Sequence, residues 1–289
     1  SPPEEVATHF MMDQVIRQSD PMFKAVLDNM RYGQLTDSDI DYLLNRRLDC
    51  LPQQERESFK DAIHLCPTWK MVYKILYKHL KEELTAPIAL IKAALKTTRD
   101  DGRNCHNGKD SLPVVNCLCV GAKVMLLKNM IVSRKLTNGT IGIIQEICFK
   151  NADGPNNSDP SDYVVVDFPD CTLSEEEKLM PGCPRTWVPI PMSEQRCEKG
   201  CCTIETIPLR LAIAITVHKS QGMTIGEGHI FEKVIIWLLK EGTSRSTPGS
   251  ELVSFTRAKE ITDIAIGNPQ MDLSKVMFSS IGQSEKYKE

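Results

Sequence analysis

Residues 207–224 read Ile-Pro-Leu-Arg-Leu-Ala-Ile-Ala-Ile-Thr-Val-His-Lys-Ser-Gln-Gly-Met-Thr, an apolar run that passes directly into a cluster of hydrogen-bonding side chains. The apolar residues 208–215 are typical of a strand buried on both faces in a parallel sheet with helices on each side. Ligands of such sheets bind beyond the carboxyl ends of the strands. The side chains expected at this binding edge are Thr216, His218, Lys219, Ser220 and Gln221.

Length and composition limit the classes of protein that the chain can belong to. The 289 residues, 41% of them hydrophobic, can bury the cores of one or two domains. The formal net charge of −3 argues against a large basic surface and leaves room for a local basic patch. No apolar run approaches the length of a membrane span, and the start at Ser1 is not a signal peptide, so an intracellular protein is predicted. Because the first residue is serine, we expect a segment of a longer protein.

The 11 cysteines raise the alternative of a zinc-stabilised interaction domain. Its thiolates would come from Cys183, Cys197, Cys201 and Cys202. None of these cysteines has the paired short spacing of a zinc finger or ribbon. Reduced intracellular thiols and no bound metal are therefore predicted.

The periodicity of the chain changes from helical to strand-like near residue 112. Helices are expected to begin after Asp20 and Thr36, a short strand over residues 62–66, and a further helix from Thr68 to about Leu84. The lysines of this last helix are interpreted as a solvated face. Short strands are then predicted over residues 113–120, 122–128, 140–147, 163–168 and 187–190, with Asn138-Gly139 as a tight turn. Several short strands at this spacing indicate a small β-barrel.

Five segments together resemble superfamily-one DNA helicases of the RecD and Pif type. Residues 207–224 are similar to the family's PLxLAxA strand followed by a TxHKSQG motif, and residues 119–129 and 136–142 to its CxGAxVMLxxN and LxNGxxG signatures. Residues 252–258 resemble the motif usually written VALSRA, which contains Arg257. Residues 15–23 resemble the FRQxDxxF segment, which contains Arg17.

The resemblance implies an α/β fold, with a RecA-like parallel sheet flanked by helices and an inserted small SH3-like β-barrel. The expected divisions are residues 1–112 and 207–289 for the two parts of the second motor domain and 113–206 for the barrel and its loops. The resemblance assigns catalysis to two phosphate-sensing arginines, Arg257 and Arg17. It assigns ATP binding to Gln221, Gly222 and Arg257. It assigns DNA binding to Thr216, His218, Lys219, Ser220 and Asn138.

The implied activity is that of an ATP-dependent helicase moving 5′ to 3′ along single-stranded DNA. A phosphate-binding loop of the form GxxxxGK[ST] does not occur in the 289 residues. We therefore expect this loop, with the ligands of Mg²⁺, in an N-terminal RecA-like domain that is the chain's own partner. The segment alone is expected not to hydrolyse ATP. The expected compartment is the nucleus, with the mitochondrion as the alternative.

A second alternative from another class stays open beside the zinc domain. The chain would then be a non-catalytic nucleic-acid-binding remnant of a helicase, as arises in transposon-derived genes. A transposon-associated, Helitron-type member of the family is the subgroup considered.

Overall fold

A computed structural model describes residues 17–83, 87–97, 112–149, 161–178, 181–197, 202–239 and 249–268. Its helices are α1 (Pro21–Tyr32), α2 (Asp37–Leu44), α3 (Gln53–Glu57), α4 (Trp69–Lys78) and α5 (Ser250–Phe255). Its strands are β1 (Ile63–Cys66), β2 (Ala89–Lys92), β3 (Ala94–Thr97), β4 (Val115–Leu118), β5 (Lys123–Leu126), β6 (Ile141–Phe149), β7 (Ser161–Asp167), β8 (Trp187–Pro191), β9 (Ser193–Arg196), β10 (Cys202–Thr206), β11 (Leu209–Leu211), β12 (Ala214–Thr216), β13 (Val234–Ile236) and β14 (Ile264–Ile266).

The chain divides into two compact units. Unit 1 combines Ser1–Pro67 with Gln221–Glu289, and unit 2 is the continuous segment Thr68–Ser220. The division that the sequence predicted, with boundaries near 112 and 206, stays a prediction. Among the described residues, no helix combines the length and apolar character needed to cross a lipid bilayer.

Unit 1 combines parallel strands with helices, as the α/β prediction required. Strands β1, β13 and β14 pair in parallel in that order, and β13 and β14 are buried at every position. The start of α1 is fixed by Asp20, whose side chain accepts from the backbone of Met22 and Phe23, and its end by Gly33 at a φ of 66°. Thr36 and Asp39 form a capping box on α2. Both helix starts were correctly predicted from sequence.

Unit 2 is built on antiparallel pairing. Five strands form a sheet in the order β11-β5-β6-β7-β8, and smaller sheets join β3, β10 and β9 and pair β2 with β4. Sixteen buried side chains form one hydrophobic cluster that includes Leu126, Ile144 and Phe168. The strands predicted over residues 113–190 are all present, shifted by a few residues at their ends. Strands β2, β3, β9 and β10 were not predicted.

The prediction of one continuous strand over residues 208–215 was wrong. The segment forms β11, which pairs antiparallel with β5, and then β12 after a break at Ala212 and Ile213. In β11 the two leucines are buried and Arg210 between them is half-buried, the alternation expected when one face of an antiparallel sheet meets polar surroundings. The helix predicted to about Leu84 is regular only in α4 and continues as a wider π-type turn over His79–Glu83.

Candidate functional site

Two arginines from distant parts of the chain meet at one peptide segment in unit 1. The guanidinium Nη1 of Arg17 donates to the carbonyl oxygen of Thr256 at 2.8 Å. The Arg257 Nη2 donates to the hydroxyl of the same threonine at 3.1 Å, and its Nε donates to the carbonyl of Val253 at 3.0 Å. The structure therefore brings together the two arginines that the resemblance singled out.

Gln18 fixes the segment that carries Arg17. Its side chain is 4% exposed, and its Nε2 donates to the carbonyl oxygens of Thr256 at 3.1 Å and Ala258 at 3.0 Å. The sequence analysis assigned Gln18 no role, although it lies next to Arg17 in the FRQxDxxF-like segment. A buried amide that satisfies two carbonyls beyond the last turn of a helix is a positioning device.

The Arg257 backbone is tied to the residues that follow the candidate ATP-binding Gln221 and Gly222. Ile225 N–H donates to the Arg257 carbonyl at 2.9 Å, and Lys259 N–H donates to the Ile225 carbonyl at 3.0 Å. Gln221 and Gly222 are both exposed, and Gly222 has a φ of 86°. This left-handed conformation favours glycine and produces the sharp turn expected there.

The electrostatics of the arginine pair favour an anion. Burial, with a smaller contribution from the charge of Arg17, lowers the pKa of the Arg257 guanidinium. Within the described part of the chain, neither guanidinium forms an ion pair with a carboxylate. Two neighbouring guanidinium groups without an acidic partner suit the oxygens of a phosphate, which accepts several such hydrogen bonds at once. A phosphate group therefore suits these residues chemically.

The candidate DNA-binding residues of the 216–220 segment differ in exposure. Val217–Ser220 forms a 3₁₀ turn directly after β12 in unit 2. His218 is exposed and Lys219 half-buried, whereas Thr216 is 7% exposed and Ser220 fully buried. The Ser220 hydroxyl donates to the Val217 carbonyl at 2.6 Å. His218 thus lies at the surface, Lys219 is partly exposed, and Ser220 stabilises the turn that carries them.

Asn138 lies at the predicted tight turn of unit 2, and its side chain is exposed. The turn is closed by a hydrogen bond from the Thr140 N–H to the Thr137 carbonyl at 3.0 Å, with Gly139 at a φ of 100°. Asn129 accepts from the Asn138 N–H at 2.7 Å. The asparagine at the end of the CxGAxVMLxxN-like segment therefore holds the turn of the LxNGxxG-like segment.

The residues of the zinc alternative are only partly within the described chain. Cys201 lies outside it, and among the residues that the structure describes no group of three or more His, Cys, Asp or Glu side chains is arranged to hold a metal ion. The thiol pKa values of Cys66, Cys117, Cys119 and Cys171 are raised by burial, to about 12 for Cys66. These thiols are protonated at neutral pH.

Comparisons with known proteins agree with the motif resemblance. No family model matches the chain. The ATP-dependent DNA helicase PIF1 of Danio rerio is 28% identical over 214 residues, which cover 73% of this chain and 29% of that protein. The crystal structure of Pif1 helicase from Candida albicans superposes with a TM-score of 0.65 at 22% identity, over 91% of this chain and 56% of that one. Bacteroides Pif1 in complex with ADP-AlF3 and single-stranded DNA gives a TM-score of 0.59 at 22% identity, over 88% of this chain and 51% of that one.

The fold is therefore an α/β, RecA-like fold with additional small antiparallel sheets, and it is similar to the fold of the solved Pif1 helicase. The chain is similar in sequence and in fold to Pif1 helicases. The chain spans less than a third of the length of the zebrafish relative and about half of the solved structures described above.

Proposed function

We propose that the chain is the second motor domain of an ATP-dependent, 5′-to-3′ DNA helicase. The observation that carries the proposal is that Arg17 and Arg257 both donate to Thr256, to its carbonyl and its hydroxyl respectively, without a carboxylate partner among the described residues. Two clustered cations of this kind are costly for a fold and useful for binding phosphate.

The chain's own residues contribute one wall of a nucleotide site. Bound ATP supplies a terminal phosphate and, on hydrolysis, free energy. Arg17 and Arg257 bind the oxygens of this phosphate, and Arg257 stabilises charge that develops as the phosphate is transferred. Gln18 fixes the segment of Arg17 to the segment of Arg257 through its hydrogen bonds to the Thr256 and Ala258 carbonyls. Gln221 and Gly222 contribute to the same wall of the nucleotide site. The segment that carries them is joined to Arg257 by the hydrogen bond from the Ile225 N–H to the Arg257 carbonyl.

The other wall belongs to a preceding RecA-like domain, the proposed partner of this chain. The phosphate-binding loop and the ligands of Mg²⁺ lie in that domain, because no GxxxxGK[ST] sequence occurs here. ATP hydrolysis therefore requires both domains. The two domains close on ATP through the arginines and separate again after hydrolysis, and this cycle moves the protein along its DNA strand.

The strand that the motor grips is single-stranded DNA. His218 and Lys219 contact backbone phosphates from the turn that Ser220 stabilises, with Thr216 behind them and Asn138 as a further contact. Contacts of this type hold a strand without reading its sequence. The complex of Bacteroides Pif1 with single-stranded DNA supports this choice of ligand. Action on DNA places the protein in the nucleus or the mitochondrion.

The test is Arg257→Ala in the full-length protein. We expect ATP hydrolysis to fall by about 10³-fold or more, the typical contribution of an arginine that stabilises phosphoryl transfer. Single-strand binding should change little, because the DNA contacts lie on other residues. ATPase rates and fluorescence anisotropy with a labelled oligonucleotide measure the two properties separately.

Arg31→Ala is the matched control, since Arg31 lies in the same unit in an exposed pair with Asp28 at 3.6 Å. It should leave both properties unchanged. Because Arg257 also donates to Val253, thermal unfolding of the variant is measured alongside. Equal loss of ATPase, DNA binding and folded protein in Arg257→Ala would show that this arginine is structural and would sink the proposal.

A further inference from the structure

Helix α4 of unit 2 carries three aromatic side chains on one face. Trp69, Tyr73 and Tyr77 are spaced by four residues, so they follow one another along the helix with a rise of about 6 Å between neighbours. Tyr73 is 61% exposed and Tyr77 68% exposed. Because the two exposed tyrosines are adjacent on one helix face, they form a contiguous apolar surface suited to binding.

The first ring of this row is held in place by a cation. The Arg210 guanidinium carbon lies 4.8 Å from the centre of the Trp69 ring, in cation–π contact. On the helix, the Trp69 and Tyr73 ring centroids are 5.9 Å apart with an interplanar angle of 33°. The aromatic row, defined as Trp69, Tyr73 and Tyr77, therefore begins with a fixed indole and continues into two accessible phenol rings.

A stripe of positive charge lies beside the aromatic row. Lys70, Lys74 and Lys78 each follow one aromatic residue, which places them about 100° further around the helix axis. All three are exposed, and the ten residues of α4 include no acidic residue. The lysines alone are consistent with the solvated face that the sequence predicted. Beside exposed rings they give the surface two kinds of attraction, one for planar groups and one for anions.

The position of α4 connects this surface to the proposed single-strand contacts. The helix packs against β12, the strand that leads into His218 and Lys219, and Arg210 belongs to β11 just before it. All of these residues lie in unit 2. The aromatic row and the 217–220 turn, the proposed contact for single-stranded DNA, therefore belong to the same compact unit.

We propose that the aromatic row is a base-stacking platform for single-stranded nucleic acid. The bases stack on Tyr73 and Tyr77, with the indole of Trp69 as the fixed end of the row, and Lys70, Lys74 and Lys78 bind the phosphates. Single-stranded nucleic acid is the polymer that offers planar rings and regularly spaced negative charge together. The platform rests on the proposed function, to which it adds a contact with the bases.

The test compares binding of the 289-residue chain to a labelled oligothymidylate and to an abasic oligonucleotide of equal length and charge. Replacing one stacking aromatic residue weakens single-strand binding by about 5-fold to 150-fold per base. For exposed tyrosines we expect the lower end, about 5-fold for Tyr73→Ala or Tyr77→Ala and about 25-fold for the double variant. Tyr73→Phe and Tyr77→Phe should bind as the unchanged chain does. The abasic strand should bind all of these variants alike.

Tyr32→Ala is the matched control, because Tyr32 is 60% exposed and lies on α1 in unit 1. It should leave both affinities unchanged. The lysines are tested by salt titration, in which each lysine replaced by alanine should lower the slope of log affinity against log salt by about 0.7. Oligouridylate compared with oligodeoxyuridylate distinguishes RNA from DNA as the strand.

Several results would overturn the platform. If Tyr73→Ala and Tyr77→Ala leave the oligothymidylate affinity unchanged, α4 does not stack bases, as expected of a surface that binds an acidic protein partner instead. If the alanine variants lose the same affinity for the oligothymidylate and for the abasic oligonucleotide, the tyrosines do not act by stacking on the bases. Failure of the unchanged chain to bind any single strand would instead contradict the proposed function, so the two failures are distinguishable.

Discussion

At the scale of single residues, the arginine pair shows why the fold alone does not explain the sequence. Burial disfavours the charged form of Arg257, and the neighbouring charge of Arg17, which bonds to the same threonine, adds repulsion. A neutral side chain in either position would remove this cost. Arrangements that work against folding are typical of functional sites, where a ligand supplies the missing opposite charge.

A buried carboxyl group near this site predicts a particular pH dependence of stability. Glu251, in the first turn of α5, is 5% exposed, and its Oε2 has no hydrogen-bond partner among the described residues. Burial raises the pKa of this carboxyl above its usual value, against hydrogen bonds to its own N–H and to Ser250. The folded state therefore keeps a proton that the unfolded chain releases at about pH 4.3. Stability contributed by this group is full below that pH and is lost as pH rises through the folded-state pKa.

The measurement is thermal unfolding of the chain and of Glu251→Gln between pH 4 and pH 8. The variant should gain stability relative to the unchanged chain as pH rises, because glutamine stays neutral in the buried site without taking up a proton. Glu232→Gln, at an exposed position, controls for the loss of one negative charge. A constant difference between Glu251→Gln and the unchanged chain across the range would contradict the prediction.

At the scale of elements, the sequence predicted what depends on local chemistry and missed what depends on distant pairing. The starts of α1 and α2 follow from the Asp20 and Thr36 caps, which lie next to the residues that they bind. Strands β3 and β10 pair across about a hundred residues, and nothing in the short segments themselves predicts that pairing. The single error in the opening motif came from treating Arg210 as part of an apolar run, although one cation between two leucines indicates alternation.

The close approach of β6 and β7 gives Gly142 a structural role. A Cβ atom at this position would lie 2.5 Å from Val166 Cγ1, 2.7 Å from the Asp167 carbonyl oxygen and 2.8 Å from Phe168 Cδ1. The carbonyl belongs to a paired strand, so it cannot move aside without breaking the sheet. Gly142→Ala should therefore destabilise unit 2 by about 1–3 kcal/mol, the usual cost of overpacking.

Chemical denaturation of the chain measures this cost. Gly139→Ala provides the comparison, because at Gly139 nothing lies within 4 Å and only the φ of 100° opposes a side chain. It should cost about 1 kcal/mol from backbone strain alone. If Gly142→Ala proves as stable as the unchanged chain, the packing between these strands is looser than described.

At the scale of the whole molecule, the candidate site is predictable only through resemblance. Arg17 and Thr256 are separated by 239 positions, and no periodicity or spacing indicates that they meet. The FRQxDxxF-like and VALSRA-like segments identified both arginines, but neither showed that Gln18 joins them. Sequence also missed the aromatic row, because Trp69, Tyr73 and Tyr77 have the spacing of an ordinary amphipathic helix and only the exposure of the two tyrosines distinguishes them.

The boundaries of the inserted region can be tested by cutting the chain at two places. The sixteen-residue cluster of unit 2 includes four members outside residues 113–206, namely Ile91, Ile207, Leu209 and Leu211. A fragment of residues 113–206 therefore lacks β2 and the edge strand β11, and it would expose the apolar surface that they cover. A fragment of residues 68–220 retains the whole cluster.

We expect the 68–220 fragment to unfold cooperatively on heating and the 113–206 fragment to lack a cooperative transition, because the missing strands leave buried leucines and isoleucines in water. Circular dichroism measures whether each fragment unfolds cooperatively, and the dispersion of amide signals in NMR spectra shows whether it is folded. Leu209→Ala in the longer fragment reproduces part of the loss and should cost about 2–5 kcal/mol, since Leu209 is fully buried. Equal melting temperatures for the two fragments would show that β2 and β11 are dispensable and that the sequence-based boundaries at 113 and 206 are the right ones.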